Sequence, residues 1–208
     1  MSSLQFFGDA AMNAQPQTKP RMTAEAYLEF ERTSEIRHEY FEGELFAMTG
    51  GSVNHNRISR NIEGELSARL KGSACENFSG DMRVKINDLG KYTYPDIVVT
   101  CGDIQVEKMK GMETLLNPVV IIEILSDSTE AYDRGAKFRH YRLIPSLQEY
   151  LLVSQHHCLV EQYARSDGNI WQILNPCTDM EQTVKIESIG CELLLSDIYY
   201  RVEFEKEG

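Results

Sequence analysis

One glutamate constrains this chain more than any other residue. Val119-Val120-Ile121-Ile122-Glu123-Ile124-Leu125 is a strongly apolar run with a carboxylate inside it. Such a continuous run marks a central strand covered on both faces. An ionised carboxylate buried there costs several kcal/mol unless a cation or hydrogen-bond donors compensate. A second carboxylate, Asp96, follows Pro95 at the head of another apolar stretch, Ile97-Val98-Val99. Taken singly, a buried Glu more often pairs with an Arg, and an Asp after Pro more often serves a turn. Two carboxylates in strands that can be neighbours point instead to a shared divalent cation, and hard oxygen ligands suit Mg²⁺ or Mn²⁺.

The segment after Glu123 supplies positive charge. Ser126-Asp127-Ser128-Thr129 leads into Asp133-Arg134-Gly135-Ala136-Lys137-Phe138-Arg139-His140-Tyr141-Arg142. The spacing predicts one helix from Thr129 to Leu143, stopped by Ile144-Pro145. On it Arg134, Lys137 and Tyr141 share a face at steps of three and four. That face stands beyond the end of the Glu123 strand, so Lys137 can reach back to the carboxylates. There an ammonium could orient an attacking water or stabilise a pentavalent phosphate. The net charge of -11 makes this local cluster matter. Nucleic acid is polyanionic, so an acidic partner must concentrate its cations at the cleft or use a metal.

The rest of the chain reads as one domain behind a tail. Residues 1–20, rich in Gln, Asn, Ala and Ser, form a flexible tail, and residues 21–208 the domain. Thr23 caps a first helix that carries Tyr27, Leu28 and Phe30. His38 to Met48 gives two short strands turning at Gly43. Ile58, Ile62, Leu66 and Leu70 mark one face of a helix from Asn54 to Leu70. Asp81 to Ile86 alternates as a strand, and Tyr92 to Thr100 makes another. Strands follow at Glu149–Ser154, Leu159–Ala164, Ile170–Leu174 and 183–189, and a helical turn at Leu193–Tyr200 closes the chain. Asp81 is expected to pair with Arg83 or Arg134, and His156 and His157 to sit in a turn. The five cysteines lack metal-binding spacing and are expected as free thiols in a cytoplasmic protein. No run approaches the ~18 apolar residues of a membrane span, and no secretory signal is legible.

Several ordered motifs together carry a family resemblance. They are His38-Glu39-Tyr40-Phe41-Glu42-Gly43-Glu44-Leu45, Ser52-Val53-Asn54-His55, Tyr94-Pro95-Asp96-Ile97-Val98-Val99, Asn117-Pro118 through Thr129, Asp133 through Tyr141, and Leu147-Gln148-Glu149-Tyr150-Leu151-Leu152-Val153. Over about residues 22–204 the chain resembles the bacterial DUF820-like family of restriction endonucleases in the PD-(D/E)XK superfamily. The resemblance implies a mixed α/β fold, a central sheet flanked by helices, with a β-rich last third. It implies Asp96 and Glu123 as Mg²⁺ or Mn²⁺ ligands, with the Ile124 carbonyl as a third. The superfamily's E-x-K lysine position holds Leu125, so Lys137 is the candidate replacement. An early acidic residue often completes such a site. Glu44 is chosen over Glu39 because it follows the Gly43 turn. His55, Arg134, Arg139 and Tyr141 are candidate phosphate contacts, although His55 is better explained as a helix cap. The implied activity is metal-dependent DNA phosphodiester hydrolysis, with a homodimer suited to cutting both strands. Two alternatives stay open: a non-catalytic module that kept the fold, and the same chemistry on a phosphodiester other than duplex DNA.

Overall fold

Two six-stranded sheets divide most of the strands between them, and the chain crosses from one to the other just before Asp96. The computed structural model describes residues 21–204, so the tail expected over residues 1–20 lies outside the described residues. In chain order the elements are α1 (Ala24–Thr33), β1 (His38–Phe41), β2 (Glu44–Ala47), α2 (Val53–Arg69), β3 (Cys75–Ser79), β4 (Val84–Ile86), β5 (Lys91–Thr93), β6 (Ile97–Cys101), β7 (Val106–Met109) and β8 (Met112–Leu115). There follow β9 (Val120–Leu125), α3 (Glu130–Tyr132), a π-helical turn (Asp133–Lys137), α4 (Phe138–Tyr141), β10 (Glu149–Ser154), β11 (Val160–Ser166), β12 (Ile170–Ile173), β13 (Thr183–Ile186), β14 (Cys191–Leu194) and α5 (Leu195–Ile198).

The first sheet has the order β2-β1-β5-β4-β8-β7 and the second β12-β11-β10-β9-β6-β3, while β13 and β14 form a separate pair. The second sheet is mixed: β9 runs parallel to β10 and antiparallel to β6. Both faces of β9 are covered, as its apolar run requires. On one face α2 places Ile58, Ile62 and Leu66 against Ile122, Ile124 and Val153. On the other, Phe138 and Tyr141 pack against Ile121, Leu125, Tyr150 and Leu152. The strand period of two therefore puts Glu123 on the α4 face, between Ile121 and Leu125.

Three local differences from the sequence expectation shape the site. The single strand expected from Tyr92 to Thr100 is two strands in different sheets. Pro95 has no N–H to give a ladder, and the chain swings across there. A buried polar cluster anchors the crossing: the Tyr94 hydroxyl donates to Glu31 Oε1 (3.0 Å), and Arg83 Nη1 donates to Tyr94 (3.3 Å). Secondly, the β7–β8 hairpin was not legible as strands. Its turn residues Lys110 and Gly111 both have positive φ (51° and 85°), as a tight hairpin demands. Thirdly, the helix expected from Thr129 to Leu143 is interrupted by the π turn. A π turn holds more residues than an α turn, so a three-residue step falls further short of a full turn. Arg134 thereby leaves the face that Lys137 and Tyr141 share.

Two further expectations are corrected. Cys75 and Cys101 are disulfide-bonded, not free. They are direct partners across the antiparallel β3–β6 ladder, a pairing that a sequence separation of 26 hides. Cys158, Cys177 and Cys191 are free thiols. The disulfide removes the cysteine argument for a reducing compartment. Asp81 pairs with neither Arg83 nor Arg134; Arg37 donates to it twice, at 2.9 and 2.7 Å. No helix among the described residues is long and apolar enough to cross a membrane.

The α2 contact with β9 is testable through Leu66, which is fully buried. Leu66→Ala is expected to lower the unfolding free energy by about 2–5 kcal/mol, read as a lower denaturant midpoint with an unchanged slope.

Candidate active site

The strand registers bring the two carboxylates together. Ile97 pairs with Ile122 across β6 and β9, so the next step of the antiparallel ladder sets Asp96 beside Glu123. The Ile124 N–H donates to Asp96 Oδ2 (2.7 Å), and the Asp96 N–H lies 3.4 Å from Glu123 Oε2. His55, in the first turn of α2, places Nε2 3.2 Å from Asp96 Oδ1. Its position depends on Gly51: a Cβ there would stand 2.6 Å from His55 Nδ1. Ser52 caps α2 by accepting from the His55 N–H (3.0 Å). His55 is therefore not the cap; its backbone is capped and its ring is free to meet Asp96.

Lys137 reaches Glu123 from the π turn that follows β9. Its Nζ is 2.8 Å from Glu123 Oε1, 3.3 Å from Asp133 Oδ1 and 3.6 Å from Glu39 Oε1. Tyr141 donates to Glu123 Oε1 at 2.9 Å. All these groups are buried. Asp96 keeps about 20% of its side chain exposed, so the site opens to solvent at Asp96 rather than at Glu123.

The acidic residue from β1 is Glu39, not Glu44. Glu39 is buried, whereas Glu44 is exposed on β2. The turn at Gly43 does not decide the matter, and neither does strand period: Glu44 pairs with Phe41 and so shares a sheet face with Glu39, but β2 is the edge strand, whereas β1 lies between β2 and β5. There the Thr93 hydroxyl donates to Glu39 Oε1. Sequence reasoning also missed Lys91, Asp133 and Tyr132. Lys91 is 1% exposed; its Nζ lies 3.9 Å from Glu39 Oε2 and donates to the Tyr132 hydroxyl oxygen. A lysine in the alternation Lys91-Tyr92-Thr93 beside the Asp96 motif was the available signal. Among the candidate phosphate contacts, Tyr141 is fully buried against Glu123. Arg134 is engaged by Glu130 (2.7 Å) and Glu161, and Arg139 points to solvent. His156 and His157 do lie in the turn after β10, with His156 Nε2 2.9 Å from Asp127.

The electrostatics follow from burial. Removal from water pushes Glu123 up to about 8; Lys137 pulls it down, while Asp133 and Asp96 push it further up. Burial also raises Asp133. Burial alone would lower Lys137, but the charges of Glu123, Tyr141, Glu39 and Asp133 hold it well above the usual lysine range. Burial would raise Asp96, yet its hydrogen bond and charge interaction with His55 keep it low. Fully ionised, the four carboxylates of Asp96, Glu123, Glu39 and Asp133 face two ammoniums, Lys137 and Lys91. The excess is two negative charges, or one with His55 protonated.

That excess, and the chemistry of the donors, fit a divalent cation. Asp133 Oδ1 is buried without a well-aligned hydrogen bond, and Glu123 Oε2 has only the 3.4 Å contact. Among the described residues no group of three or more His, Cys, Asp and Glu side chains is arranged to hold a metal ion. Mg²⁺ does not need such a group. It is held by one or two carboxylates, with water and substrate phosphate filling the remaining positions.

Comparison with known proteins agrees with the fold and the motifs. Residues 24–195 match the model of the Uma2 family, described as putative restriction endonucleases. An uncharacterized protein of Synechocystis is 37% identical over 185 residues, covering 89% of this chain and 95% of that protein. A second Synechocystis protein, also uncharacterized, is 35% identical over 150 residues, covering 72% of this chain and 84% of its own length. The crystal structure of a putative nuclease belonging to DUF820 from Anabaena variabilis superposes with a TM-score of 0.69 at 19% identity, covering 86% of this chain and 97% of that one. The architecture is the restriction-endonuclease-like nuclease fold.

Removing the Lys137 charge exposes the carboxylate repulsion. A carboxyl raised in the fold keeps a proton that the unfolded chain has released above its ordinary value near 4.5. Unfolding between those values then releases a proton, and stability falls as pH rises. Lys137 holds the Glu123 carboxyl down, so Lys137→Met should raise it further, carry the fall above about pH 8 and cost about 3–5 kcal/mol there. Metal-free unfolding curves at several pH values, beside wild type, read this directly; parallel pH profiles would contradict it.

Proposed function

Because the chain belongs to the Uma2 family of putative restriction endonucleases, we propose that it is a metal-dependent endonuclease hydrolysing DNA phosphodiester bonds. The observation that carries this reading is the placement of Lys137 Nζ 2.8 Å from Glu123, next to Asp96 in the adjoining strand. Two carboxylates and a lysine so placed support that chemistry without an E-x-K lysine. Asp96, Glu123 and the Ile124 carbonyl would hold Mg²⁺ or Mn²⁺. The cation would supply charge neutralisation at the phosphate and a more acidic water.

The chain's own residues have separable roles. Glu123 is fixed by Tyr141 and Lys137, so its free oxygen faces Asp96. Lys137 sits where its ammonium can orient a nucleophilic water and stabilise charge developing on the phosphate. Glu39 and Asp133 hold that ammonium from behind, at 3.6 and 3.3 Å, which keeps it charged and fixes its position. His55 holds Asp96 in its rotamer from the α2 side. The side chains alone leave the cleft negative, so a divalent cation held at Asp96 and Glu123 would be needed to make the local field favourable to a polyanion. Cutting both strands of a duplex at one locus would call for two copies of this site, and hence a homodimer.

Supercoiled, linear and single-stranded DNA incubated with Mg²⁺ or Mn²⁺ should be cleaved by the wild type. Asp96→Asn, Glu123→Gln and Lys137→Met should each lower the rate by about 100-fold or more. Cleavage that survives Glu123→Gln would sink the assignment. Metal binding without cleavage of any DNA form would favour a non-catalytic module.

A further inference from the structure

The mechanism above leaves one buried cation without a task. Lys91 is almost inaccessible, with 1% exposure, and its carboxylate neighbour is shared. Glu39 lies 3.9 Å from Lys91 Nζ and 3.6 Å from Lys137 Nζ. His140 Nδ1 is 3.4 Å away, and the Phe41 ring lies over the ammonium at 5.6 Å. The closest partner of Lys91 is the hydroxyl oxygen of Tyr132, to which it donates.

That bond fixes what Tyr132 can do. A phenol oxygen that accepts from an ammonium must aim its own proton elsewhere. No acceptor for it is found among the described residues: the Lys91 contact is the hydroxyl's hydrogen bond there. Tyr132 is also 37% exposed, so the buried network surfaces at this residue. It is the last residue of α3 and immediately precedes Asp133, a neighbour of Lys137. A phenol polarised by a cation behind it is a strengthened donor, and its best acceptor is an anion oxygen.

We propose that Tyr132, backed by Lys91, is a second phosphate-contacting point that holds a phosphate of the nucleic-acid backbone flanking the one at Asp96 and Glu123. The inference rests on the nuclease reading and narrows its substrate to a chain with at least two phosphates. Tyr132 is then a substrate-positioning residue, and Lys91 acts through it. The row Asp96, Glu123, Lys137, Glu39, Lys91, Tyr132 gives a strand two anchored points, with chemistry only at the first.

The test is Tyr132→Phe, which removes the hydroxyl and keeps the ring. Fluorescence anisotropy with a labelled oligonucleotide, with Ca²⁺ in place of Mg²⁺, reads binding without turnover. Binding should weaken by about tenfold or more, the loss of one hydrogen bond to a charged group. The thermal midpoint should fall by a few degrees, because Lys91 loses its closest partner, while binding is read well below the melting range of either protein. With Mg²⁺, KM for the oligonucleotide should rise by a larger factor than KM for bis(p-nitrophenyl) phosphate, which carries a single phosphodiester, and equal changes for the two substrates would count against the second contact. Equal oligonucleotide binding by variant and wild type would overturn the inference and leave the nuclease reading standing. Weakened binding in a protein that cleaves nothing would support the phosphate contact while the hydrolytic reading fell. A wild type that binds no oligonucleotide would overturn the inference.

Discussion

The structure around the site depends on one buried ion pair. Glu123 lies in the middle of a strand covered on both faces, where a lone carboxylate would cost several kcal/mol. Lys137 meets it at 2.8 Å, and the rest of the network follows from having buried an ammonium there. Asp133 and Glu39 balance Lys137, Thr93 donates to Glu39, and Lys91 stands against the far oxygen of Glu39. Each group is tolerable in the interior because of the next. Such networks seldom add stability over a well-packed apolar core. Their presence across two sheets and one interrupted helix is better explained by what the charges do than by what they hold together.

The fold delivers this cluster through register. The β6–β9 ladder sets Asp96 beside Glu123, and the break at Pro95 lets the same segment leave Thr93 and Lys91 in the other sheet. One stretch of chain from Lys91 to Asp96 therefore contributes to both ends of the site. The π turn supplies the remaining adjustment. It joins Asp133 and Lys137 in one widened turn and sends Arg134 off to Glu130 and Glu161. A π turn at this point matches the tendency of such turns to occur where function needs a shifted side chain.

The sequence made the two carboxylates and the lysine legible because each stands out against its own local pattern. Glu123 interrupts an apolar strand, Asp96 heads one, and Lys137 follows at helical spacing. Glu39 against Glu44 could not be settled in that way. Both belong to the hairpin that turns at Gly43 and lie on one face of it, and only the sheet order, with β1 inside and β2 at the edge, shows which one is buried. Lys91 was missed because a lysine in a short strand looks like any solvated one until Tyr132 and Glu39 close over it. The Cys75–Cys101 disulfide and the split at Pro95 share that cause. Both depend on which distant segment lies alongside, and periodicity carries no information about that. The overall α/β class and the helix of Ile58, Ile62 and Leu66 were readable because their signals are local.

The proposed function stands or falls with a divalent cation held at the negative excess of Asp96 and Glu123. Calorimetric titration of Mn²⁺ or Mg²⁺ into the metal-free protein tests it most directly, run at pH 7 in buffers of different ionisation enthalpy. Because burial pushes the Glu123 carboxyl up and a cation would draw it back down, the wild type should bind one cation with release of protons. Asp96→Asn should lose the binding. Equal binding by wild type and Asp96→Asn, or no binding by either, would contradict the account.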